Sequence, residues 1–347
     1  MSNKKPKERN IASVDEQSWV RRFLGSKMFT LLAVLIVVIV IFSIWAELVG
    51  NRFFSGTTLR NILNSLVVSS FLTIGAGCLL ISGEIDLSQA AVGAFGGIVI
   101  AMAVTRLNLV ASIGIVLTLV LCGVFGLINA VLVNEFRFPS FIGTLAMASV
   151  AKGLMTFMSL NESGSSTNVP FNDATLKEIA TGTIGGFLPK SILIMIAAFI
   201  IYGVILSKTR FGRKIYMVGG NRIAARMAGI NAKAISYILF VNCAVLGGVA
   251  GIMYSARIGQ GVLQALQTNQ FTGLTAAILG GIMFGGGSGG LGGAFVGLAI
   301  LITFQSGMTI VNVSPYWMTT FTGVLLIAAL ALDYSRTKKM QNALGMD

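Results

Sequence analysis

KTRFGRKIYMVGGNRIAARMAGINAK, residues 208–233, separates two long apolar runs and decides how the rest of the chain is read. It holds seven cations, Lys208, Arg210, Arg213, Lys214, Arg222, Arg226 and Lys233, in a chain otherwise poor in charge. Charge of that density belongs outside lipid, so the flanking runs read as membrane spans and this segment as the loop between them. A topology-setting loop needs nothing more. This one also carries the marks of a short helix. Asn221, after Gly219-Gly220, is an N-cap, and Gly229 stands where a C′ residue belongs. Between them Arg222–Ala228 make two turns, about 10 Å of helix. Ile223 and Met227 share one face of it, and Arg222 and Arg226 share a neighbouring one. A knob of that kind suits a groove on another protein. Gly220 and Gly229 are read as positions that need a backbone only glycine adopts easily.

The 347 residues are 55% hydrophobic and 11% charged, which is a membrane composition. Backbone polar groups find no partners in lipid, and apolar runs of this length favour an all-α helical bundle over a barrel. Runs long enough to cross about 30 Å fall near 29–50, 62–82, 87–105, 109–133, 138–160, 190–207, 234–256, 272–285, 292–311 and 315–333. The expectation is a polytopic protein of about ten spans. An even count puts both termini on one side, and the charges agree with that side being cytoplasmic. Eighteen Lys and Arg then lie inside: seven before the first span, Arg137, the seven of 208–233, and Arg336, Lys338 and Lys339. Six lie outside, namely Arg52, Arg60, Arg106, Lys177, Lys190 and Arg257. Positive charge retained in the cytoplasm explains such a bias. It also explains the net charge of +13 without nucleic acid.

Residues 1–28 therefore read as a cytoplasmic segment, 29–333 as one transmembrane domain, and 334–347 as a cytoplasmic tail. The first span is nearly full membrane length behind a long basic lead, so it reads as an anchor rather than a signal peptide. The outer loop 161–189 is polar and too small for a domain, with a helix expected near Asp173–Ala180 capped by Asn172 or Asp173.

No G-x-x-x-x-G-K-[ST] occurs, so ATP does not bind this chain through a P-loop. There is no histidine, and Cys78, Cys122 and Cys243 all fall inside spans without metal spacing, so they read as packing residues. Acids near membrane depth are confined to span ends: Glu47, Glu84, Asp86 and Asp333. Ion-coupled carriers keep ionisable groups within their spans, so the energy for transport is expected to come from elsewhere. Gly280–Gly293, GGIMFGGGSGGLGG, lacks the lysine of a phosphate cradle; Gly289, Gly293 and Gly297 at four-residue spacing point to close helix packing, as do Gly93 and Gly97. In SGEIDLS (82–88), Asp86 or Ser88 can cap the following helix. Glu84 and Asp86 can instead pair with cations at the cytoplasmic mouth. Lys152 lies about 12 Å inside its span and either snorkels or faces a watery cavity. Asn64, Asn129, Asn242 and Gln305 either bond neighbouring helices or bind hydroxyls along a pathway.

Three stretches carry a resemblance: SGEIDLSQAAVGAFGGIVIA (82–101), FRFPSFIGTLAMASVAKGL (136–154) and KTRFGRKIYMVGGNRIAARMAGI (208–230). They resemble the membrane permease subunits of bacterial ABC importers for ribose, xylose, arabinose and galactosides, over about residues 55–335. Gln89 departs from the small or aliphatic residue expected there. The resemblance implies a pore-forming permease in the bacterial inner membrane that moves a pentose or hexose. It implies a second permease chain in a homodimer or heterodimer, separate ATPase subunits holding ATP and Mg, and a periplasmic or lipid-anchored sugar-binding protein. This chain then needs no cofactor and is no enzyme. Arg210, Phe211, Gly212, Arg213, Gly219, Gly220, Asn221, Arg222, Ile223, Arg226, Met227, Gly229 and Ile230 would couple it to the ATPase. Glu84, Asp86, Lys152 and the four amides are the pathway candidates. Related permeases for branched-chain amino acids or nucleosides, and a secondary carrier, are the alternatives.

Overall fold

A computed structural model describes residues 27–161, 163–186 and 188–343. Most of the N-terminal basic segment and the last four residues lie outside the described residues. The chain is a helical membrane protein. Among the described residues, eight helices are long and apolar enough to cross a bilayer. They are α1 (Lys27–Leu48), α2 (Gly56–Ile81), α4 (Ala111–Asn134), α5 (Ser140–Met158), α7 (Ser191–Lys208), α10 (Ala232–Ile258), α12 (Leu291–Ile310) and α13 (Pro315–Ala343). Two of the ten expected spans are not full crossings. α3 (Gln89–Thr105) has 17 residues, and α11 (Thr272–Leu279) has 8, about 12 Å of helix.

The cause is local. Gly83 at φ +82° stops the chain from continuing α2. Gly281, Gly286, Gly287 and Gly289, all at positive φ, end α11 and turn the chain back where a span to 285 was expected. Each half-helix is preceded by non-helical chain that dips into the bundle: residues 83–88 before α3 and 259–271 before α11. Such backbone survives at membrane depth only when protein replaces water as its partner. The N–H groups of 83–88 are all provided for. Gly83 and Glu84 donate to Leu80 and Leu79 carbonyls, Ile85 to Ser140 Oγ, Leu87 to Thr144 Oγ1 and Ser88 to Asp86 Oδ1.

The halves repeat one order: a long helix, a dip, a half-helix and two spans. α2 enters its dip from one end of the bundle and α10 from the other. Each half-helix packs on the long helix of the opposite half. Along α3 and α10 the backbones nearly touch: a Cβ on Gly251 would stand 1.8 Å from the Gly93 carbonyl oxygen. α11 meets α2 through Gly273 at Leu72 and Ala277 at Gly77. The expected glycine packing thus holds, with Gly293 against Gly280 and Gly297 against Ala276. Lipid supplies no hydrophobic drive between helices, so this close approach and its dispersion contacts hold the centre. α2, α3 and α10 are buried in the centre, whereas α1, α5 and α7 present Leu, Ile, Val and Phe outward. The three cysteines are buried and unbonded, and Gln89 is buried with its amide on the Phe71 carbonyl.

Contacts sort the connections into two ends. At the coupling end, Gly287 N donates to Ile81 O, Tyr216 Oη to Gly289 O, and Phe284 N to Asp333 Oδ2. At the far end, Asn51 bonds Ile310 O, Arg106 bonds Met158 O, and Phe171 N donates to Gly259 O. The far-end loop carries α6 (Ala174–Thr181), capped by Asp173, whose carboxylate accepts from Leu176 N at 2.9 Å. Short strands β1 (Val169–Pro170) and β4 (Gln260–Gly261) tie that loop to the second dip, and β2 (Thr183–Ile184) pairs with β3 (Leu188–Pro189).

Candidate functional site at the coupling end

Segment 208–233 folds into two helices. α8 (Arg210–Gly220) is one that sequence reading passed over. Its signals were present: Thr209 Oγ1 accepts from Gly212 N at 3.1 Å as an N-cap, and Gly212, Ile215 and Val218 form its buried stripe at three-residue spacing. Phe211 packs partly against the core, while Arg210 and Arg213 are exposed. α8 ends where Gly219 meets the first dip, since a Cβ there would lie 1.8 Å from the Ile81 carbonyl oxygen. Close approach, then, explains that glycine pair. Gly220 closes α8 and is not among the residues with positive φ, which corrects the left-handed backbone expected of it.

α9 (Arg222–Met227) follows at once. Asn221 Oδ1 accepts from Ile223 N at 3.0 Å and Ala224 N at 2.9 Å. Gly229 has φ +77°, the conformation its sequence position demanded. Ala225 and Ile230 are buried and seat the helix on the bundle. On the opposite face Ile223 is 76% exposed and Met227 85%. A mouth cavity of about 1000 Å³ opens beside the helix, lined by Arg137, Arg222, Arg226 and Lys233 among others.

Arg222 turns inward. Its Nη1 lies 2.8 Å from Glu84 Oε1, and its Nη2 donates to Asn134 Oδ1 at 3.0 Å. Asn134 Nδ2 donates to Ser236 Oγ at 2.7 Å, and Ser236 donates onward to Glu84 Oε2 at 2.6 Å. The four side chains close a ring that joins α9, the first dip, α4 and α10. Glu84 is 6% exposed at its side chain and Arg222 39%. In so low a dielectric each bond is strengthened and each loss is costly. Asn134 and Ser236 were not singled out from the sequence, because nothing in a lone Asn or Ser at a span end distinguishes a ring member from a cap.

Asp86 does not meet a cation. Its Oδ1 accepts from the Ser88 amide and hydroxyl at 2.7 and 2.6 Å, and Asn129 Nδ2 bonds Ser88 Oγ at 2.8 Å. Ser88 occupies the N-cap position of α3 without a side-chain capping bond. Asn129 is fully buried, so it binds helices together at this place rather than facing a path. Asn242 likewise bonds the Tyr202 hydroxyl across α10 and α7. Gln305 bonds Thr322 and lines a separate far-end cleft. Asn64 and Lys152 are half-buried on α2 and α5, and among the described residues Lys152 makes no ion pair. The structure therefore brings Glu84, Asp86 and Asn129 together near Arg222 and leaves the other four apart.

Glu135 and Lys233 form a second pair at 2.8 Å at the mouth, both half exposed. The Lys233 hydrogen bond holds the Glu135 carboxyl below its usual range. Water screens this pair, so Lys233→Met should leave the thermal unfolding midpoint of the detergent-solubilised protein where it was. A drop comparable to that of a ring variant would show that this pair carries the mouth.

Residues 58–330 match the family described as branched-chain amino acid transport system / permease component. The ribose import permease protein of Escherichia coli K12 is 30% identical, over 86% of this chain and 92% of its own. The L-arabinose ABC transporter permease protein of Azospirillum brasilense is 30% identical over 83% of each chain. The xylose transport system permease protein of Haemophilus influenzae is 27% identical, over 88% of this chain and 96% of its own.

Proposed function

Since the chain belongs to the family of branched-chain amino acid transport system permease components, we propose that it is the membrane permease of an ATP-driven importer for a sugar of pentose or hexose type. The observation that carries the substrate class is the set of relatives covered nearly end to end, which are named for ribose, arabinose and xylose. The family description alone favours branched-chain amino acids, and three named sugars weigh against it. The coupling end faces the cytoplasm of a bacterial inner membrane, in keeping with Arg137 and the cations of 208–233 at that end. Both termini then lie inside.

Energy enters from a separate ATPase subunit that holds ATP and Mg. α9 presents Ile223 and Met227 to a groove of that subunit, and Arg210, Arg213 and Arg226 meet its carboxylates. Arg222 is spent inside the permease, on Glu84. Motion of α9 is thereby conveyed to the first dip and to α3. A second permease chain and a sugar-binding protein complete the assembly.

Proteoliposomes holding the permease, its ATPase and its binding protein should accumulate one of radiolabelled ribose, arabinose or xylose only when ATP is supplied. Uptake by the permease alone, without ATPase or ATP, would overturn the reading in favour of a carrier.

A further inference from the structure

Between α2, α10, α12 and the second dip lies a cleft of about 200 Å³. It opens at the far end beside Arg257, in the last turn of α10, and descends to Ser69, thirteen residues into α2. Thirteen residues of helix are about 20 Å, so its floor is near the middle of the membrane. The floor is tied to the second dip, where Asn269 Nδ2 donates to Ser69 Oγ at 3.0 Å. A route from the far end to the bilayer centre, walled by a non-helical segment, is what a solute entering from outside requires.

Its lining states the chemistry of the solute. Tyr254 and Arg257 lie one turn apart on α10, both half-buried, and Arg257 makes no ion pair among the described residues. A guanidinium near membrane depth without a carboxylate is expensive and marks a functional site. Gln305 uses its amide nitrogen on Thr322 Oγ1, which turns its carbonyl oxygen free for another donor. Ser65 adds a hydroxyl, and no Asp or Glu lines the cleft. A fan of N–H donors, an amide acceptor, hydroxyls and an aromatic face together suit a ring bearing several hydroxyl groups. A zwitterionic amino acid suits it less, because its ammonium would find no carboxylate.

We propose that this cleft is a transient binding site for a neutral sugar on the permease itself, held by Arg257 and Gln305 with the ring against Tyr254. The proposal rests on the sugar reading above and sharpens it to named residues.

Two measurements separate the two. Ser306 also lines the cleft, and the native cysteines are buried, so Ser306→Cys gives a single reporter. On the full chain in nanodiscs, ribose, arabinose or xylose at millimolar concentration should slow alkylation of that cysteine by N-ethylmaleimide, and L-leucine should not. This readout needs neither ATPase nor import. In the assembled transporter, Arg257→Gln and Gln305→Leu should keep basal ATP turnover. Flux at subsaturating sugar should fall about ten- to a hundredfold for Arg257→Gln, the loss of a hydrogen bond to a charged group. Protection by leucine, or by no sugar, would overturn the site, as would unchanged flux in both variants. Failure of the unmutated assembly to accumulate any sugar would instead sink the functional reading.

Discussion

Arg222→Ala should destabilise the protein by about 2–3 kcal/mol and leave ATP turnover running with little sugar moved. Glu84→Gln should cost about 1 kcal/mol. The asymmetry follows from where each group lies. Removing the guanidinium strands a carboxylate that is 6% exposed, with only Ser236 to solvate it. Removing the negative charge leaves an arginine 39% exposed, which water can reach, and glutamine keeps the shape of the ring. The double variant should accordingly be more stable than Arg222→Ala alone, because no buried charge is left without a partner. Thermal unfolding of all three in detergent reads the energies, and ATP turnover beside sugar flux in the assembled transporter reads the coupling. An Arg222→Ala no less stable than Glu84→Gln would mean that Glu84 finds another partner and the ring is not a link.

Local chemistry was legible and long-range pairing was not. Asn221, Gly229 and the i, i+4 pair of Ile223 and Met227 announced α9 within a residue, because caps and faces depend on neighbours a turn away. Asp173 announced α6 in the same way. Apolar length announced eight crossings. It misjudged 87–105 and 272–285, where hydropathy is satisfied equally by a span and by a half-helix buried in protein. Only the positive φ of Gly83 and Gly281 tells the two apart, and glycine in a membrane helix more often means packing. α8 was missed because its stripe of Gly212, Ile215 and Val218 is sparse beside its cations. The ring of Arg222, Glu84, Asn134 and Ser236 joins residues as far as 152 positions apart, a separation that no local pattern reports. Among the pathway candidates the sequence could mark amides inside spans. It could not tell Asn129, spent on Ser88, from Gln305, which lines an open cleft.

Met227→Asp should abolish stable association with the ATPase while leaving the permease itself intact. The side chain is 85% exposed, so in the isolated chain the new carboxylate stays in water and the unfolding midpoint should hardly move. In the assembly the same carboxylate would be driven into an apolar groove beside Ile223 without a partner, a cost of several kcal/mol. That is a factor of a hundred or more in affinity. Gly229→Val reaches the same end by another route. φ +77° forces a β-branched residue into strain, so the turn after α9 must reorganise. Ala225 and Ile230, the buried seats on either side, would then hold the helix at a wrong angle. Lys substituted for Arg226 gives the contrast, since it keeps the charge of an exposed mouth residue and should be tolerated. Co-purification with the ATPase at normal membrane expression, with sugar flux and ATP turnover measured in parallel, decides the matter. If Met227→Asp and Gly229→Val both retain the ATPase and full flux, α9 is a solvated loop that only sets topology, and coupling runs through another surface.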